Sequence, residues 1–225
     1  MAATARRTPG APTTRDRVLA AAAEEFAARG FDGAKVDRIA ARARVNKAML
    51  YYHFRSKTAL YQAILLDRFG SVAQAVEAVR ARGGSPEAQL RGFIEALAAT
   101  AFTQPQFPPM WLREIADGGR HLAPPIVLEM RRVVGTLGAI LAEGHAAGVF
   151  REVNPLVTQV GIVAPLLFFA ATGPVRERFK QLVPREIVNA QGHEIVTHVV
   201  AATLAAVTPP DVRSSSGSAS RRQKS

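Results

Sequence analysis

Residues 45–57, with the sequence Val-Asn-Lys-Ala-Met-Leu-Tyr-Tyr-His-Phe-Arg-Ser-Lys, constrain the fold more than any other part of the chain. This stretch combines a polar helix start with closely spaced cations and aromatic side chains. A helix that begins there turns Lys47 and Tyr51 outward, because they are four residues apart, and turns Leu50 and Phe54 inward. The stretch therefore predicts a short amphipathic helix that presents basic and aromatic groups to its surroundings.

A second short helix is predicted immediately upstream. Apolar residues recur there at intervals of three and four, the pattern of an amphipathic helix, at Val36, Ile39, Ala40 and Ala43. The connection Ala43-Arg44-Val45 joins this helix to the next, and two short helices joined in this way have the proportions of a helix-turn-helix motif. In that motif the second helix enters the major groove of DNA, with its N-terminal residues at the base edges. The sequence therefore predicts a DNA-recognition element.

The run from Thr14 to Leu60 resembles the DNA-binding module of the TetR family of bacterial transcriptional repressors. The matching residues are Val18, Ala22, Phe26, Gly30 and Phe31, then Val36, Ile39, Ala40, Ala43 and Val45, then Leu50, Tyr51, Tyr52, His53, Phe54, Ser56, Lys57 and Leu60. Two positions depart from the family pattern. Lys35 stands where relatives often carry a Ser or Thr helix cap, which weakens capping. Arg44 stands where glycine is common, at a point where positive φ is expected.

The resemblance implies a division of DNA contacts along this segment. Base contacts are expected mainly from Lys47 and Ala48, with Asn46 and Met49 at the edge of the contact. Lysine can donate to guanine O6 and N7, and alanine or methionine can touch a thymine methyl group. Contacts to backbone phosphates are expected from Tyr51, Tyr52, His53 and Lys57, with Arg38 and Arg44 as weaker candidates.

Charge is concentrated in the same part of the chain. Residues 1–60 carry twelve Lys and Arg against five Asp and Glu, whereas residues 61–207 carry thirteen against twelve. This distribution fits a phosphate-binding head on a nearly neutral body. Absence of cysteine rules out disulfides and thiolate metal sites, and the N-terminus carries no signal-peptide pattern, so a cytoplasmic location is expected.

The predicted fold is all-α, with an N-terminal three-helix helix-turn-helix domain and a larger helical domain. We expect a flexible basic arm over residues 1–12, the DNA-binding domain over 13–60, an effector-binding and dimerisation domain over 61–207, and a disordered basic tail over 208–225. Gly and Pro residues separate the later helices, and no strand pattern appears. Those helices are predicted at about 57–81, 86–103, 108–117, 124–147, 154–172 and 184–207.

An apolar segment in the second half of the chain predicts dimerisation. Residues 156–173 contain no charged residue over eighteen positions, which is close to the length of a membrane span. Two polar residues and a central Pro165 instead favour a helix buried in a subunit interface, without membrane contact. The resemblance also implies that the last two helices pair into a four-helix bundle between subunits, so a homodimer is expected. Interface contacts are predicted from Leu167, Ile195, Val199 and Leu204.

Aromatic and methionine side chains gather between Phe93 and Met130. At helical spacing such residues form a core as often as a ligand site, and both interpretations stay open. Because the family's body domain usually encloses an apolar cavity, the resemblance implies a small, largely apolar effector here. The candidate effector-binding residues are Phe102, Met110, Trp111, Arg113, Glu114, His121, Met130 and Phe168.

No catalytic or metal-binding motif accompanies these residues, and neither a cofactor nor enzymatic activity is expected. His193 and His198 are five apart, which differs from the i, i+4 spacing of a zinc pair. The predicted function is a homodimeric transcriptional repressor that binds a palindromic operator in double-stranded DNA and is released by the effector. One alternative is a related regulator that lacks an effector or acts as an activator. The other is a helical dimerisation module that does not bind DNA.

Overall fold

The computed structural model describes residues 12–182, 184–185 and 189–210, and within these ranges it consists of ten α-helices without a strand. The all-α prediction is confirmed. The predicted arm and tail lie outside the described residues, apart from Pro12 and residues 208–210. The helices are α1 Thr14–Gly33, α2 Val36–Ala43, α3 Lys47–Phe54, α4 Lys57–Ala81, α5 Pro86–Thr103, α6 Phe107–Ala116, α7 Pro124–Ala146, α8 Pro155–Ala171, α9 Gly173–Phe179 and α10 Gly192–Val207.

Helices α1 to α3 form the head of the molecule. Helix α1 begins with a capping box, in which the Thr13 hydroxyl accepts from the Asp16 N–H at 3.1 Å and the Asp16 carboxylate accepts from the Thr13 N–H at 3.0 Å. Its regular helix is interrupted at Gly30, whose φ of 69° is readily adopted by glycine, and one further turn follows. The side chains of Val18 and Phe26 are fully buried beneath α2 to α4.

Helix α4 connects the head to the body, which comprises α5 to α10. The Ser56 hydroxyl caps it by accepting from the Ala59 N–H at 3.0 Å, as the sequence predicts. Near its start, Leu60 is buried in a core shared with the head and α6, whereas Val72 and Val76 are buried in the separate core of the body. The change from one core to the other therefore falls within α4, beyond residue 60.

The C-terminal third differs from its predicted boundaries. The helix expected over 184–207 begins at Gly192, where Gln191 and Glu194 form a capping box, and the short helix α9 was not predicted. The Gly173-Pro174 pair begins α9, because proline is tolerated in the first turn of a helix. Among the described residues no single helix is long and apolar enough to span a membrane. Helices α8 and α9, which are bent by 41°, meet the length and composition criteria only as a pair.

Candidate nucleic-acid interface and body cavity

The turn between α2 and α3 is closed by an arginine in the left-handed conformation. Arg44 has φ 55° and ψ 47°, and its N–H donates to the carbonyl of Ala41 at 3.1 Å. The next N–H, of Val45, donates to the carbonyl of Ala40 at 3.0 Å. The positive φ expected at this position is confirmed, and holding a non-glycine residue there costs about 1 kcal/mol. The Arg44 side chain is exposed beside the start of α3.

Helix α3 has one buried face and one exposed face, as its sequence predicts. Leu50 and Phe54 are buried in the head core, whereas Lys47 and Ala48 are exposed at the first turn. Asn46 caps the helix, because its side-chain oxygen accepts from the Met49 N–H at 2.7 Å. That oxygen is therefore engaged, and the amide nitrogen of Asn46 is the part of its side chain left for a base contact.

Lys47 is paired with a carboxylate of the neighbouring helix. Its Nζ lies 2.9 Å from Oδ1 of Asp37 in the first turn of α2, and both side chains are largely exposed. The hydrogen bond from Lys47 to Asp37 raises the pKa of the lysine above its ordinary value. Lys47 therefore stays charged, and Asp37 fixes the direction in which its ammonium group points.

The aromatic residues after the first turn of α3 lie on its accessible side. Tyr52 is 81% exposed and Tyr51 is also exposed. The ring of His53 is partly buried and packs edge-on against that of Tyr52, with 5.4 Å between the ring centroids. Together with Met49 at 43% exposure, these side chains form a continuous surface next to Lys47.

Two cations expected at phosphates have partners within the head. Lys57 Nζ lies 3.3 Å from the carbonyl oxygen of Asp32 and 4.6 Å from the centre of the Phe31 ring. Arg38 Nε donates to the buried carboxylate of Glu25 at 2.6 Å. Burial alone raises the pKa of Glu25, but the hydrogen bonds from Arg38 and the Lys35 N–H outweigh burial and hold that pKa below its ordinary value.

The phosphate contact of Arg38 stays a prediction, and it would compete with contacts inside the head. A second nitrogen of the same guanidinium donates to the Gly33 carbonyl at 3.0 Å, so Arg38 connects α2 to the end of α1. Moving it to a phosphate would leave the buried Glu25 carboxylate with only the more distant Arg29, at 3.5 Å, as its counter-charge, which is unfavourable. Arg38 serves the packing of the head. Lys57 keeps a partly exposed ammonium group beside the start of α4 and stays a prediction.

An apolar cavity of about 340 Å³ lies in the body, between α4, α5, α6, α7 and α8. Two predicted effector residues, Trp111 and Met130, line it. The remaining lining residues were not predicted, because sequence periodicity shows which helix faces are apolar without showing which faces meet. They are Phe69, Val72, Leu97, Thr100, Ala101, Phe107, Leu112, Ile115, Val133, Val134, Leu156, Gln159, Val160, Val163, Ala164, Leu166 and Leu167.

The polar residues predicted for the effector, Arg113, Glu114 and His121, do not line this cavity. Glu114 and His121 are buried, with 2.9 Å between Oε2 and Nδ1, beneath the head. The Arg113 guanidinium donates to the backbone carbonyls of Phe26, at 3.3 Å, and Ala27 in α1. These three residues make contacts at the junction of head and body, and their role in effector binding stays a prediction.

The pKa of Tyr61, another residue of this junction, is also affected by burial and by Glu114. Burial, with the nearby negative charge and hydrogen bond of Glu114, raises the pKa of Tyr61 well above its ordinary value. The His121 ring also packs against those of Phe31 and Tyr61, with centroid separations of 4.0 and 5.0 Å. The junction is thus a buried polar cluster enclosed by aromatic rings.

The other effector candidates are also placed away from the cavity. Met110 is buried in the core shared with the head, and Phe168 is 66% exposed on the outer side of α8. Phe102 borders a separate open groove, where its ring contacts that of Phe169 at a centroid distance of 6.1 Å. Of the eight predicted residues, the structure therefore brings only Trp111 and Met130 together at the cavity.

Two of the four predicted interface residues belong to the core of their own chain. Leu167 and Val199 are buried, and Ile195 and Leu204 pack partly buried against the same core. Burial in the single chain leaves Leu167 and Val199 little surface for a partner, whereas Ile195 and Leu204 stay predictions. The outward stripes are Val157, Gly161 and Phe168 on α8, and Glu194, His198, Ala201 and Ala205 on α10.

The head and body together define a class of protein. Helix α3, the second helix of the helix-turn-helix, has an exposed first turn with a basic residue. It is attached to a larger helical body with an apolar cavity. This is the architecture of a helix-turn-helix regulator. Residues 18–64 match the family model of bacterial regulatory proteins of the tetR family, and residues 86–222 match that of the tetracyclin repressor-like C-terminal domain. The chain belongs to the tetR family of bacterial regulatory proteins and is a DNA-binding transcriptional regulator.

Individual relatives resemble the chain over different lengths. The HTH-type transcriptional repressor NicS of Pseudomonas putida is 30% identical over 165 residues, covering 72% of this chain and 78% of NicS. The HTH-type transcriptional activator FasR of Mycolicibacterium smegmatis is 38% identical over 82 residues, covering 36% of this chain and 37% of FasR. The crystal structure of the TetR family transcriptional regulator PfmR from Thermus thermophilus superposes with a TM-score of 0.66 at 27% identity, covering 84% of this chain and 98% of PfmR.

Proposed function

We propose that the protein is a homodimeric transcriptional repressor that binds a palindromic operator in the cytoplasm and is released from it by a small apolar effector. In each head, Lys47, Ala48 and Met49 face the base edges of the major groove, and the Asn46 amide contributes at the edge. Their exposure on the first turn of α3 supports this assignment. Phosphate contacts come from Tyr51, Tyr52, His53, Arg44 and Lys57.

Dimerisation is proposed through the outward stripes of α8 and α10. The α8 stripe is apolar and well exposed in a single chain, with Val157 at 69% and Phe168 at 66% exposure. The α10 stripe contains Ala201 and Ala205, whose small side chains allow a close approach of helices. Exposed apolar surface of this kind is typical of a protein interface. A symmetric pair of such surfaces brings two heads to one palindrome.

The position of α6 is the single observation that carries the proposed response to an effector. One face of α6 lines the cavity with Phe107, Trp111 and Ile115. Its opposite face holds α1 through the hydrogen bonds of Arg113, and Arg120 beyond its end pairs with Asp32 at 2.6 Å. An effector that displaces α6 therefore also displaces α1 and the head. Binding in the cavity favours the arrangement of heads that does not fit the operator.

A salt-titrated binding assay tests the DNA-binding part of the proposal. A fluorescent duplex from the region upstream of this gene is compared with a random duplex of equal length, using anisotropy over a range of salt concentrations. We expect a preference for the upstream duplex and a steep loss of affinity with salt, because phosphate contacts release counterions. Equal, salt-independent binding to both duplexes would favour a dimerisation module over a DNA-binding regulator.

The direction of regulation has a second candidate. FasR is named an activator, and it resembles this chain over about a third of its length. The helix-turn-helix positions the protein on DNA, and the location of the operator relative to the promoter decides the effect on transcription. A reporter fused to the upstream region is expected to be more active when the gene is deleted. Lower reporter activity in the deletion strain would support the activator.

A further inference from the structure

A single acidic residue lies in the helix-turn-helix segment and the start of α4. Residues 33–66 contain one Asp or Glu, Asp37, and seven Lys and Arg, namely Lys35, Arg38, Arg42, Arg44, Lys47, Arg55 and Lys57. A carboxylate on a DNA-binding surface opposes binding, because it repels the phosphates that the cations attract. Asp37 therefore lowers the affinity for the DNA backbone, and what it gains for the protein depends on the contacts that it makes.

One contribution of Asp37 is to the stability of its own helix. Helix α2 begins after Lys35 without a side-chain cap, and Asp37 lies in its first turn. A negative charge there is favourable, because the N-terminus of a helix carries a partial positive charge. This contribution stabilises the head, and it does not depend on the sequence of the DNA that is bound.

The second contact of Asp37 is with the lysine in the first turn of α3. Asp37 Oδ1 lies 2.9 Å from Lys47 Nζ, and the side chains are 74% and 52% exposed. The ammonium group of lysine has three N–H donors. One is directed to Asp37, and two remain. Guanine presents two acceptors, O6 and N7, in the major groove, so the pair leaves Lys47 the number of donors that one guanine accepts.

The carboxylate also restricts where Lys47 can bind. If Lys47 turned to a phosphate, Asp37 would stay next to the anionic backbone without its counter-charge, which is unfavourable. Exposed ion pairs contribute little in water, but their attraction becomes stronger in a groove from which water is displaced. Repulsion against wrong partners is one of the two ways in which a protein achieves specificity. Asp37 therefore disfavours the phosphate contact of Lys47 and leaves the base contact available.

Resting on the proposed role of α3 in reading the operator, we infer that Asp37 is a specificity-determining residue that keeps Lys47 on the base edges and away from the phosphates. Discrimination between operator and random DNA then depends on the pair and not on Lys47 alone. Without the carboxylate, Lys47 is free to bind a nearby phosphate, which every DNA sequence provides. Affinity for random DNA therefore rises while discrimination falls.

Asp37→Asn tests this inference, because it removes the charge and keeps the size of the side chain. Anisotropy measures binding to the upstream duplex, to variants of it with one base pair replaced, and to the random duplex. Asp37→Asn is expected to bind random DNA about two- to fivefold more tightly, with a salt slope steeper by about 1. Lys47→Ala identifies the base pair that Lys47 reads. At that pair, the discrimination by Asp37→Asn is expected to fall from about tenfold to about twofold.

Three further proteins separate this role from net charge and from helix stability. Asp67→Asn removes the same charge about 15 Å along α4 from its first residue, where Asp67 is exposed, and is expected to match the wild-type protein on every duplex. Asp37→Glu keeps a negative charge in the first turn of α2 and is expected to retain the low affinity for random DNA. In a Lys47→Ala background, Asp37→Asn is expected to change all duplexes by the same factor, because only sequence-independent repulsion is lost. Thermal unfolding checks that each variant folds.

The outcomes distinguish this inference from the proposed function on which it rests. If Asp37→Asn matches the wild-type protein on all duplexes, or weakens all of them by one factor, Asp37 serves only α2. Either result overturns the inference and leaves operator binding in place. Discrimination that survives at every base pair in Lys47→Ala also overturns it, because Lys47 then reads no base. If the wild-type protein does not prefer the upstream duplex, the proposed reading of an operator fails together with the inference.

Discussion

At the scale of single residues, the proposed DNA-binding surface contains two lysines in different surroundings. Lys47 projects from the first turn of α3 and is oriented by Asp37 at 2.9 Å. Lys57 lies against the Phe31 ring and the Asp32 carbonyl while its ammonium group stays partly exposed. The ammonium group of Lys47 is directed as a hydrogen-bond donor, whereas that of Lys57 acts as a point charge. We therefore expect the two lysines to contribute differently to specificity.

Replacing each lysine by alanine tests this difference. Lys47→Ala is expected to lower operator affinity by about 1–3 kcal/mol with little effect on random DNA, because a base contact is lost. Lys57→Ala is expected to weaken both duplexes alike and to reduce the salt slope by about 1, because a phosphate contact is lost. Anisotropy titrations with both duplexes measure these effects, and Lys180→Ala in the body is the control. Equal losses on both duplexes in both variants would contradict the assignment.

The Glu25–Arg38 pair predicts how stability depends on pH. The pKa of Glu25 lies below its ordinary value of 4.5 in the folded protein, so the folded state favours the ionised carboxylate. The pair's contribution is complete above pH 4.5 and disappears as the pH falls through the lowered pKa of Glu25. Arg38→Met is expected to destabilise the protein by about 1–3 kcal/mol at neutral pH, because the buried Glu25 then keeps only Arg29, at 3.5 Å, and the Lys35 N–H as partners.

The pH effect is smaller in this variant. Without Arg38 the pKa of Glu25 is lowered less, so the variant loses less stability than the wild-type protein as the pH falls below about 4.5. Urea unfolding at several pH values measures the narrowing gap to the wild-type protein. Arg42→Met is the control on the same helix, because Arg42 and its partner Glu24 are exposed, and it is expected to lose less than about 1 kcal/mol. Parallel pH curves for wild type and Arg38→Met would refute this account.

At the scale of helices, most elements could be predicted from the sequence because local signals define them. Ser56 and Asn46 cap the helices that follow, and Gly30 interrupts α1 where positive φ is required. The same local signals failed after α8. The helix predicted to end at 172 ends at Ala171, but Gly173 and Pro174 also begin α9, which was not predicted. The helix predicted over 184–207 is described as a helix from Gly192, and residues 183 and 186–188 lie outside the described residues. Proline can follow the end of one helix or stand in the first turn of the next, so its position alone does not show whether a helix ends or begins there.

Helix α6 illustrates a further limit of prediction from sequence. Its aromatic and polar residues were assigned to one ligand site, but Trp111 faces the cavity, whereas Arg113, about half a turn away around the helix, faces the head. The sequence shows which residues share a face of the helix and does not show what packs against each face.

The transmitting role of α6 is tested at Arg113. Arg113→Met removes the hydrogen bonds to the α1 carbonyls. The change in Trp111 emission on adding an apolar probe such as n-decanol is expected to stay as in the wild-type protein. The accompanying loss of operator affinity, typically about 5- to 150-fold for coupled sites, is expected to fall towards none. Emission and anisotropy are recorded in one titration. Arg131→Met, at an exposed position of α7, is the control. Full release of DNA by the Arg113 variant would show that coupling takes another route.

At the scale of the whole molecule, the cavity and the interface arise from surfaces that are distant in sequence. The cavity draws residues from five helices, and the aromatic cluster around Trp111 was the only part of it visible in the sequence. Gln159 was noted only as a polar residue that argued against a membrane span. For α8 and α10, apolar composition indicated an interface, but Leu167 and Val199 face the core of their own chain. Composition predicts which helices interact, whereas the packing of the single chain shows which of their faces are left exposed.

The outward stripe of α10 therefore carries the test of dimerisation. Ala201 is exposed in the single chain and lies on the same side of the helix as Ala205, opposite the buried Val199 and Thr203. Ala201→Arg places an unpaired charge and a long side chain in the proposed helix bundle, so we expect monomers at micromolar concentration. Because each monomer then engages one half-site, operator affinity is expected to fall by about 10²- to 10⁴-fold, the contribution of bivalency.

Light scattering and anisotropy measure these two effects together. Ala142→Arg introduces the same side chain at an exposed position of α7, and this control is expected to stay dimeric and to bind the operator as the wild-type protein does. A folded Ala201→Arg variant that remains a dimer would place the interface on another surface. A wild-type protein that is monomeric at micromolar concentration would remove the dimer altogether. Two monomers would then bind the two half-sites of a palindrome independently. Operator affinity would therefore include no gain from bivalent binding.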